Sequence, residues 1–388
     1  MGKGFVLRKL WIVVVAVCLS LVTMGTAFAS DVAEPVLAAE SAIVVEASTG
    51  RVVYEKNADM QSSPASMTKM MTCLLALDEL GRHQDVMISK NAAETEDVPL
   101  GLAAGDVFSA DELLRGMMLA SDNGAAVAIA EASAGSVGKF VAQMNDEAAK
   151  LDMKDTHFAN PNGLTLPGHY STARDMAKLA RYAMTKKEFR DIVGIQQAPI
   201  RWSLPKNKVL MVENSNKLLG HYDGMTGIKT GWTMAAGGCL AASAKRNGLE
   251  LIAVVMKAPD AHVRFDDARK LLDYGFSQTK LKRGIRRDHL KKSVWVRGGT
   301  QATVAVHPVE DVNYPVIGGE DPKRYTVTYD LPKMIDAPVK DGTVVGKLVL
   351  HYDGKPVGTV DLAAEKADKG FSVGSSLVSI FGWMLPRL

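Results

Sequence analysis

The sequence predicts an α+β domain followed by a small all-β domain. Strand-like segments stand at both ends of the stretch up to about residue 279, and helical segments fill its middle. Strands so placed must pair across the chain, which gives one sheet with helices packed on it. From Ser293 to Leu362 the chain changes to short strands punctuated by Pro and Gly, the pattern of a separate all-β unit.

Residues 1–29 begin with Lys3, Arg8 and Lys9, continue in an apolar run from Leu10 to about Val22, and end in Ala27-Phe28-Ala29. A basic start, an apolar centre and an A-x-A site predict a cleaved secretory signal peptide. The alternative is a retained anchor, for which the run is short. Bulky Val17 argues against a lipoprotein site at Cys18.

The next domain is assigned to residues 30–279. Ala42 to Glu46 and Arg51 to Tyr54 read as strands around the turn Ser48-Thr49-Gly50. A helix is predicted from Ser66 to about Leu80, because Pro64 suits its start and Gly81 its end. The stretch from about Asp85 to Thr185 reads mostly helical, most clearly over Ala110–Leu119, Gly124–Ala134 and Ser171–Met184. His157 to Gly168 holds two prolines and two glycines and reads as a loop. Strands return after Gly227, with Gly238–Ala244 and Leu249–Met256 flanking Asn247-Gly248, a strong hairpin signal. A helix from about Ala261 to Tyr274 closes the domain.

Leu281 to Asp288 is basic and reads as irregular. Strands follow at Ser293–Arg297, Ala302–Val306, Arg324–Tyr329, Val344–His351 and Lys355–Leu362, giving a small β-sandwich domain over 280–366. Residues 367–388 are expected to form an amphipathic membrane-anchoring helix. Leu377, Val378, Phe381, Met384, Leu385 and Leu388 share one face; Ser372, Ser375, Ser376, Ser379 and Arg387 share the other. Four serines and Pro386 argue against a span, whereas an in-plane helix fits, with Trp383 at the headgroup level and Lys366 and Lys369 near anionic lipid. The alternative is a helix docked on the β domain.

Of 388 residues, 47% are apolar and 23% charged, an ordinary globular composition. The formal charge of +3 falls to zero once Lys3, Arg8 and Lys9 are removed, so no nucleic-acid partner is expected. Cys73 and Cys239 lie in apolar stretches and read as core residues, with any contact between them left open. No H-E-x-x-H, C-x-x-C, G-x-x-x-x-G-K-[ST] or G-x-S-x-G occurs, and the eight histidines form no ligand cluster, so no metal site is expected. His157 and His169 read as solvated or capping.

Three motifs in order point to chemistry: Ser66-Met67-Thr68-Lys69, Ser121-Asp122-Asn123 and Lys229-Thr230-Gly231. S-x-x-K occurs four times, at Ser66, Ser136, Ser203 and Ser277, and S-x-N twice, at Ser89 and Ser121; Lys-Thr-Gly is unique. Among the S-x-x-K copies, Ser66 alone opens a predicted helix and precedes the other two motifs. On a helix, positions i and i+3 are neighbours, so the Lys69 amine reaches the Ser66 hydroxyl. A serine needs a neighbour to take its proton. Lysine does this only as a free base, so burial or nearby positive charge must lower its pKa. Lys229 supplies such a charge and also attracts a terminal carboxylate, with a second donor from Thr230 and close backbone approach at Gly231. Backbone N–H groups at the helix start suit an oxyanion. The plain alternatives are a capping serine and a solvated lysine; the ordered triplet argues against both.

On these motifs the chain resembles the D-alanyl-D-alanine carboxypeptidases, the low-molecular-mass penicillin-binding proteins. The loop His157-Phe158-Ala159-Asn160-Pro161-Asn162-Gly163-Leu164, the following helix, Asn214 to Leu219, and Arg264 to Phe276 are similar to the family as well. The resemblance implies a β-lactamase/transpeptidase-like fold, with a five-stranded antiparallel sheet flanked by helices beside an all-helical lobe. It implies Ser66 as the acylated residue, Lys69 as its base and Ser121 as a proton relay. Asn123 would bind the substrate amide, Lys229 and Thr230 the terminal carboxylate, and Arg264 would assist. The N–H groups of Ser66 and Trp232 would form the oxyanion hole. The chain departs from the family pattern at Trp232, where histidine or another polar residue is common.

The implied reaction removes the terminal D-alanine from peptidoglycan pentapeptides, without metal or organic cofactor. The implied partners are muropeptides and, as covalent inhibitors, β-lactam antibiotics. The implied location is outside the cytoplasmic membrane, with peripheral anchoring by the terminal helix. The competing readings are a serine β-lactamase, a peptidoglycan endopeptidase and a non-catalytic wall-binding protein. No E-x-x-L-N pattern stands near residues 157–168 to support the first. The last has no need of intact Ser66, Lys69, Ser121, Asn123, Lys229 and Thr230.

Overall fold

The computed structural model describes residues 32–371 apart from Lys291, together with Val373 and Leu377. The signal segment 1–29 and most of the terminal segment 367–388 lie outside the described residues. Strands Ser41–Glu46 (β1) and Val52–Lys56 (β2) form the expected first hairpin. Short pairs Asp85–Met87 (β3) with Val107–Ser109 (β4), and Gln197–Arg201 (β5) with Val209–Glu213 (β6), border the helical lobe. Met225–Thr233 (β7), Gly237–Arg246 (β8) and Leu249–Ala258 (β9) return to the first hairpin and complete a five-stranded sheet in the order β2–β1–β9–β8–β7, antiparallel throughout. The Asn247-Gly248 hairpin sits where the sequence places it, between β8 and β9. β7 is an edge strand, so one of its sides is free to meet a ligand.

Both faces of the sheet are covered, which is why its central strands read as unbroken apolar runs. Ile43, Val45, Ala241, Ile252, Val254 and Met256 face the helical lobe. Ala42, Val44, Leu240, Ala242, Leu251, Ala253 and Val255 face the other side, against the helix Val263–Gln278. The alternation is the two-residue period of a strand.

The lobe is built from Lys69–Glu79 (α1), Lys90–Ala93 (α2), Ala110–Leu119 (α3), Asn123–Ala134 (α4), Val137–Lys150 (α5), Ala173–Ala183 (α6) and Lys187–Val193 (α7); Val263–Gln278 is α8. Five of these begin on a capping side chain: Ser89, Ser109, Asp122, Ser136 and Thr172 each accept from a backbone N–H three residues on. This explains two of the unused motif copies, since Ser89 and Ser136 are helix caps. Ser203 and Ser277 bond Asp85 and the Tyr274 carbonyl.

The β domain holds Thr279–Ile285 (β10), Lys292–Arg297 (β11), Thr303–Pro308 (β12), Val312–Ile317 (β13), Tyr325–Asp330 (β14), Met334–Asp336 (β15), Thr343–Tyr352 (β16) and Lys355–Ala364 (β17). Six of them form one sheet, β14–β16–β17–β12–β11–β15, and β10 pairs with β13. The basic stretch read as irregular is largely strand β10. Its backbone bonds go to a partner some thirty residues away, and that pairing outweighs a composition poor in strand formers. Ala367 and Lys369 bridge to Val339 and Gly299, so the chain stays bound to this domain as far as Lys369.

Arg51, in the first hairpin, joins the two domains. Its guanidinium donates to Glu320, to Tyr325 Oη at 2.7 Å and to the Pro315 carbonyl at 3.2 Å, and lies 3.5 Å above the Tyr352 ring. A planar cation with five donors suits such a junction.

Candidate active site

Pro64 leads into a single 3₁₀ turn, Ala65–Thr68, which runs directly into α1. Ser66 and Lys69 therefore keep the i, i+3 relation, and Ser66 is a turn residue, not a cap. Every residue of α1 from Lys69 to Ala76 is buried. The amine of Lys69 is thus carried into the core, with the residue fully enclosed at 0% exposure.

Lys69 Nζ lies 2.8 Å from Ser66 Oγ, 2.6 Å from Asn123 Oδ1 and 2.6 Å from the Asn162 carbonyl. The Asn123 amide is oriented by its own Nδ2, which donates to the Glu96 carbonyl at 2.9 Å. Asn123 Oδ1 and Asn162 O accept only. A neutral amine has two hydrogens and one lone pair. With both hydrogens given to those oxygens, the lone pair faces Ser66. Burial pushes the Lys69 pKa down to about 7, against the opposing charges of Asp122 and Asp97.

The Ser66 turn is clamped from two sides. Ala65 has φ +48°, an unusual value for a residue with a side chain. Its carbonyl accepts from Thr68 Oγ1 at 2.8 Å. Thr68 Oγ1 lies 2.8 Å from His169 Nε2, and His169 Nδ1 accepts from the Ala159 N–H at 2.9 Å. Nδ1 is thereby the acceptor and Nε2 carries the hydrogen. Burial, with the nearby His157, pushes His169 down to about 4 and keeps it neutral. His169 is therefore a buried structural residue, and the reading of it as solvated fails. On the other side, Gly163 sits so close that a Cβ there would lie 2.0 Å from the Ala65 carbonyl oxygen.

Asp122 caps α4 and is itself buried, with oxygens accepting from Leu100 and Ala125 N–H groups. This places Asn123 at the head of α4, facing Lys69. Ser121, with φ +64°, lines the same cleft.

The edge strand β7 supplies the third motif. Gly231 lies against the Ser66 turn, where a Cβ would come within 3.0 Å of Ser66 N. Thr230 Oγ1 is 2.6 Å from Ser215 Oγ. Lys229 is 1% exposed, and its Nζ donates to the Thr230 carbonyl at 3.2 Å. Burial, then the charges of Lys69 and Arg264, hold its pKa well below the usual lysine value. Arg264, from α8, donates to the Gly231 carbonyl at 2.6 Å, and its buried Nε has no hydrogen-bond partner among the described residues. Trp232 is 52% exposed at the rim.

The structure thus brings Ser66, Ser121, Asn123, Thr230, Gly231, Trp232 and Arg264 to one cleft of about 530 Å³, with Lys69 and Lys229 buried behind it. A larger crevice of about 920 Å³ between the two domains contains none of the motif residues. The lysine free-base requirement is met by burial, with Lys229 not needed for it. Sequence reasoning missed Asn162, Ser215, Asp97 and the His169–Thr68 support. The only available sign of the first was its place in the recognised 157–164 loop. Cys73 and Cys239 are both free and buried. Among the described residues, no group of His, Cys, Asp and Glu is placed to hold a metal ion.

Residues 28–260 match the family described as D-alanyl-D-alanine carboxypeptidase, and residues 280–369 match the penicillin-binding protein 5 C-terminal domain. The chain is 35% identical over 333 residues to D-alanyl-D-alanine carboxypeptidase DacF of Bacillus subtilis, covering 84% of this chain and 85% of that one. It is 31% identical over 354 residues to DacC of Escherichia coli, covering 86% and 85%. The structure resembles penicillin-binding protein 5 from Haemophilus influenzae with a TM-score of 0.64 and 29% identity, over 87% of this chain and all of that one. By a family match over more than half of its length and by relatives 30% or more identical across more than four-fifths of it, the chain belongs to the D-alanyl-D-alanine carboxypeptidase family.

Proposed function

We propose that the protein releases the terminal D-alanine of peptidoglycan pentapeptides through an acyl-enzyme on Ser66. The observation that carries this reading is the Lys69 amine, fully buried, with a pKa brought down to about 7 and its remaining hydrogens engaged by acceptors. Lys69 takes the Ser66 proton as Oγ forms a bond to the penultimate D-Ala carbonyl carbon. The third N–H of the resulting ammonium then points back at Oγ. The N–H groups of Ser66 and Trp232 stabilise the oxyanion. When the C–N bond breaks, Ser121 relays the proton to the leaving amine. Water then hydrolyses the ester, with Lys69 again as base.

Lys229, Thr230 and Arg264 hold the terminal carboxylate. Lys229 and Arg264 are both buried and carry no carboxylate partner among the described residues, where Arg264 Nε is also left over, so an anion at this edge is favoured. Asn123 binds the substrate amide. β-Lactams acylate the same serine. The substrate lies outside the cytoplasm, so we infer export through residues 1–29. We also infer peripheral attachment at the outer face of the cytoplasmic membrane through the segment 367–388. In support, Phe371, Val373 and Leu377 are exposed apolar residues at the start of that segment.

The test is intact mass after adding benzylpenicillin. A one-to-one adduct on Ser66, lasting minutes to hours and absent from Ser66→Ala, is expected. Rapid drug hydrolysis with a fleeting adduct would favour a β-lactamase instead. No adduct on folded protein would overturn the catalytic reading.

A further inference from the structure

β6 (Val209–Glu213) is paired on one side with β5, and among the described residues no strand pairs with its other side. An open edge offers unpaired N–H and C=O groups to another strand, and proteins guard such edges with charge, proline or a covering segment. Two other edges here are guarded. β10 carries Lys280, Lys282 and Arg283. The outer side of β5 is covered by α3, whose Glu112 accepts from the Arg201 N–H at 3.2 Å. β6 instead exposes Val209, Leu210 and Met211 in succession.

Which backbone groups are open follows from two bonds. The Trp202 N–H donates to the Lys208 carbonyl at 3.1 Å, and the Asn214 N–H to the Gln196 carbonyl at 2.7 Å. Lys208 and Asn214 therefore turn toward β5, and so, by the alternation of an antiparallel ladder, do Leu210 and Val212. Val209, Met211 and Glu213 turn their N–H and C=O groups outward. Their side chains share one face with Arg201, Pro199 and Gln197, the residues opposite them on β5.

This edge is complementary to itself. Two copies of β6, antiparallel with Met211 opposite Met211, set Val209 opposite Glu213 of the second copy. All the outward residues then fall in hydrogen-bonded pairs. The central row reads Pro199, Met211, Met211, Pro199, apolar throughout. In the rows beside it, Arg201 faces Glu213 of the second copy across Val209, about 10 Å or two strand spacings away. These two long side chains span that gap. Both are loosely held within the chain: Arg201 lies 3.9 Å from Glu112, and Glu213 lies 3.4 Å from Lys217. A slip of register that sets Glu213 opposite Asn207 loses both charge contacts, so opposite charges fix the pairing of an apolar centre.

We propose that β6 is a self-association edge, where a second copy of this chain pairs to give a continuous sheet β5–β6–β6–β5 about a two-fold axis at Met211. The contact is smaller than the roughly 1,200 Å² of a stable interface, so the dimer is weak and forms at high local concentration. None of these residues lines the Ser66 cleft, so the pairing is independent of the peptidase reading.

The test is site-specific disulfide formation in the chain lacking residues 1–29, whose own Cys73 and Cys239 are buried. Residues opposed in a hydrogen-bonded pair stand about 5.5 Å apart at Cα, within disulfide reach. The two Val209 residues stand about 14 Å apart, out of reach. Under mild oxidation at equal concentration, Met211→Cys is expected to give about fivefold or more covalent dimer than Val209→Cys. Met211→Lys, at an exposed position, is expected to keep the penicilloyl adduct and to sediment as a monomer where the wild-type mass rises with concentration. Equal dimer yields from the two cysteine variants, or the same sedimentation for the wild type and Met211→Lys, would overturn the assignment.

Discussion

Acylation of Ser66 should follow the titration of Lys69. The perturbation is pH, and the reactive form is the neutral amine, so the rate rises with pH. With a pKa of about 7, half of the enzyme is competent at pH 7, about a tenth at pH 6 and about a hundredth at pH 5. An ordinary solvated lysine near 10.5 would be competent in only about three molecules in ten thousand at pH 7, so burial raises the reactive fraction about a thousandfold. The assay is the second-order rate of penicilloylation, measured by quenched-flow mass spectrometry from pH 5 to 9. The expected profile climbs about tenfold for each pH step up to about 7 and then levels. Removing the Asp97 charge in Asp97→Asn should move the climb to lower pH, because that charge holds the amine's pKa up. A flat profile, or a climb that continues beyond pH 9, would refute the assignment of Lys69 as the base that burial activates.

Gly163→Ala places a Cβ 2.0 Å from the Ala65 carbonyl at φ +90°, whereas Gly168→Ala, at φ +80°, meets nothing closer than 3.9 Å. The first should cost about 3 kcal/mol or more of stability and slow acylation, the second about 1 kcal/mol with acylation retained; equal denaturation midpoints would count against the clamp on Ser66. A chain lacking residues 1–29 should sediment with anionic vesicles, and one that also lacks 371–388 should stay in the supernatant while still forming the penicilloyl adduct. Equal partitioning of the two would remove the role given to the terminal segment.

Much of the fold was legible because its signals are local. Alternating apolar residues, the Asn247-Gly248 turn and the helix limits at Pro64 and Gly81 act within a few residues. The five-stranded sheet follows once strands at both ends of the domain must share one core. β10 was not legible, because a run such as Lys280-Leu281-Lys282-Arg283 becomes a strand only by pairing with Val312–Ile317. The site divides in the same way. Ser66 and Lys69 are joined by helix geometry, and Ser121, Asn123 and Lys229 to Trp232 stand in recognisable motifs. Asn162 contributes a main-chain carbonyl, which no side-chain pattern can announce. His169 looked solvated because its loop is polar, yet Phe158 and Thr68 close over it.

The order of the three motifs and the three-residue spacing of Ser66 and Lys69 determine, by themselves, which serine is poised beside an amine. They do not determine that the amine is a base. That was decided by tertiary packing: α1 enters the core, Asn123 arrives from 54 positions away and the Asn162 carbonyl from 93. Together they exclude water and claim the amine's two hydrogens. Spacing along a helix is a property of a few consecutive residues, whereas desolvation is a property of everything that surrounds them, and a lysine becomes a base only through the second.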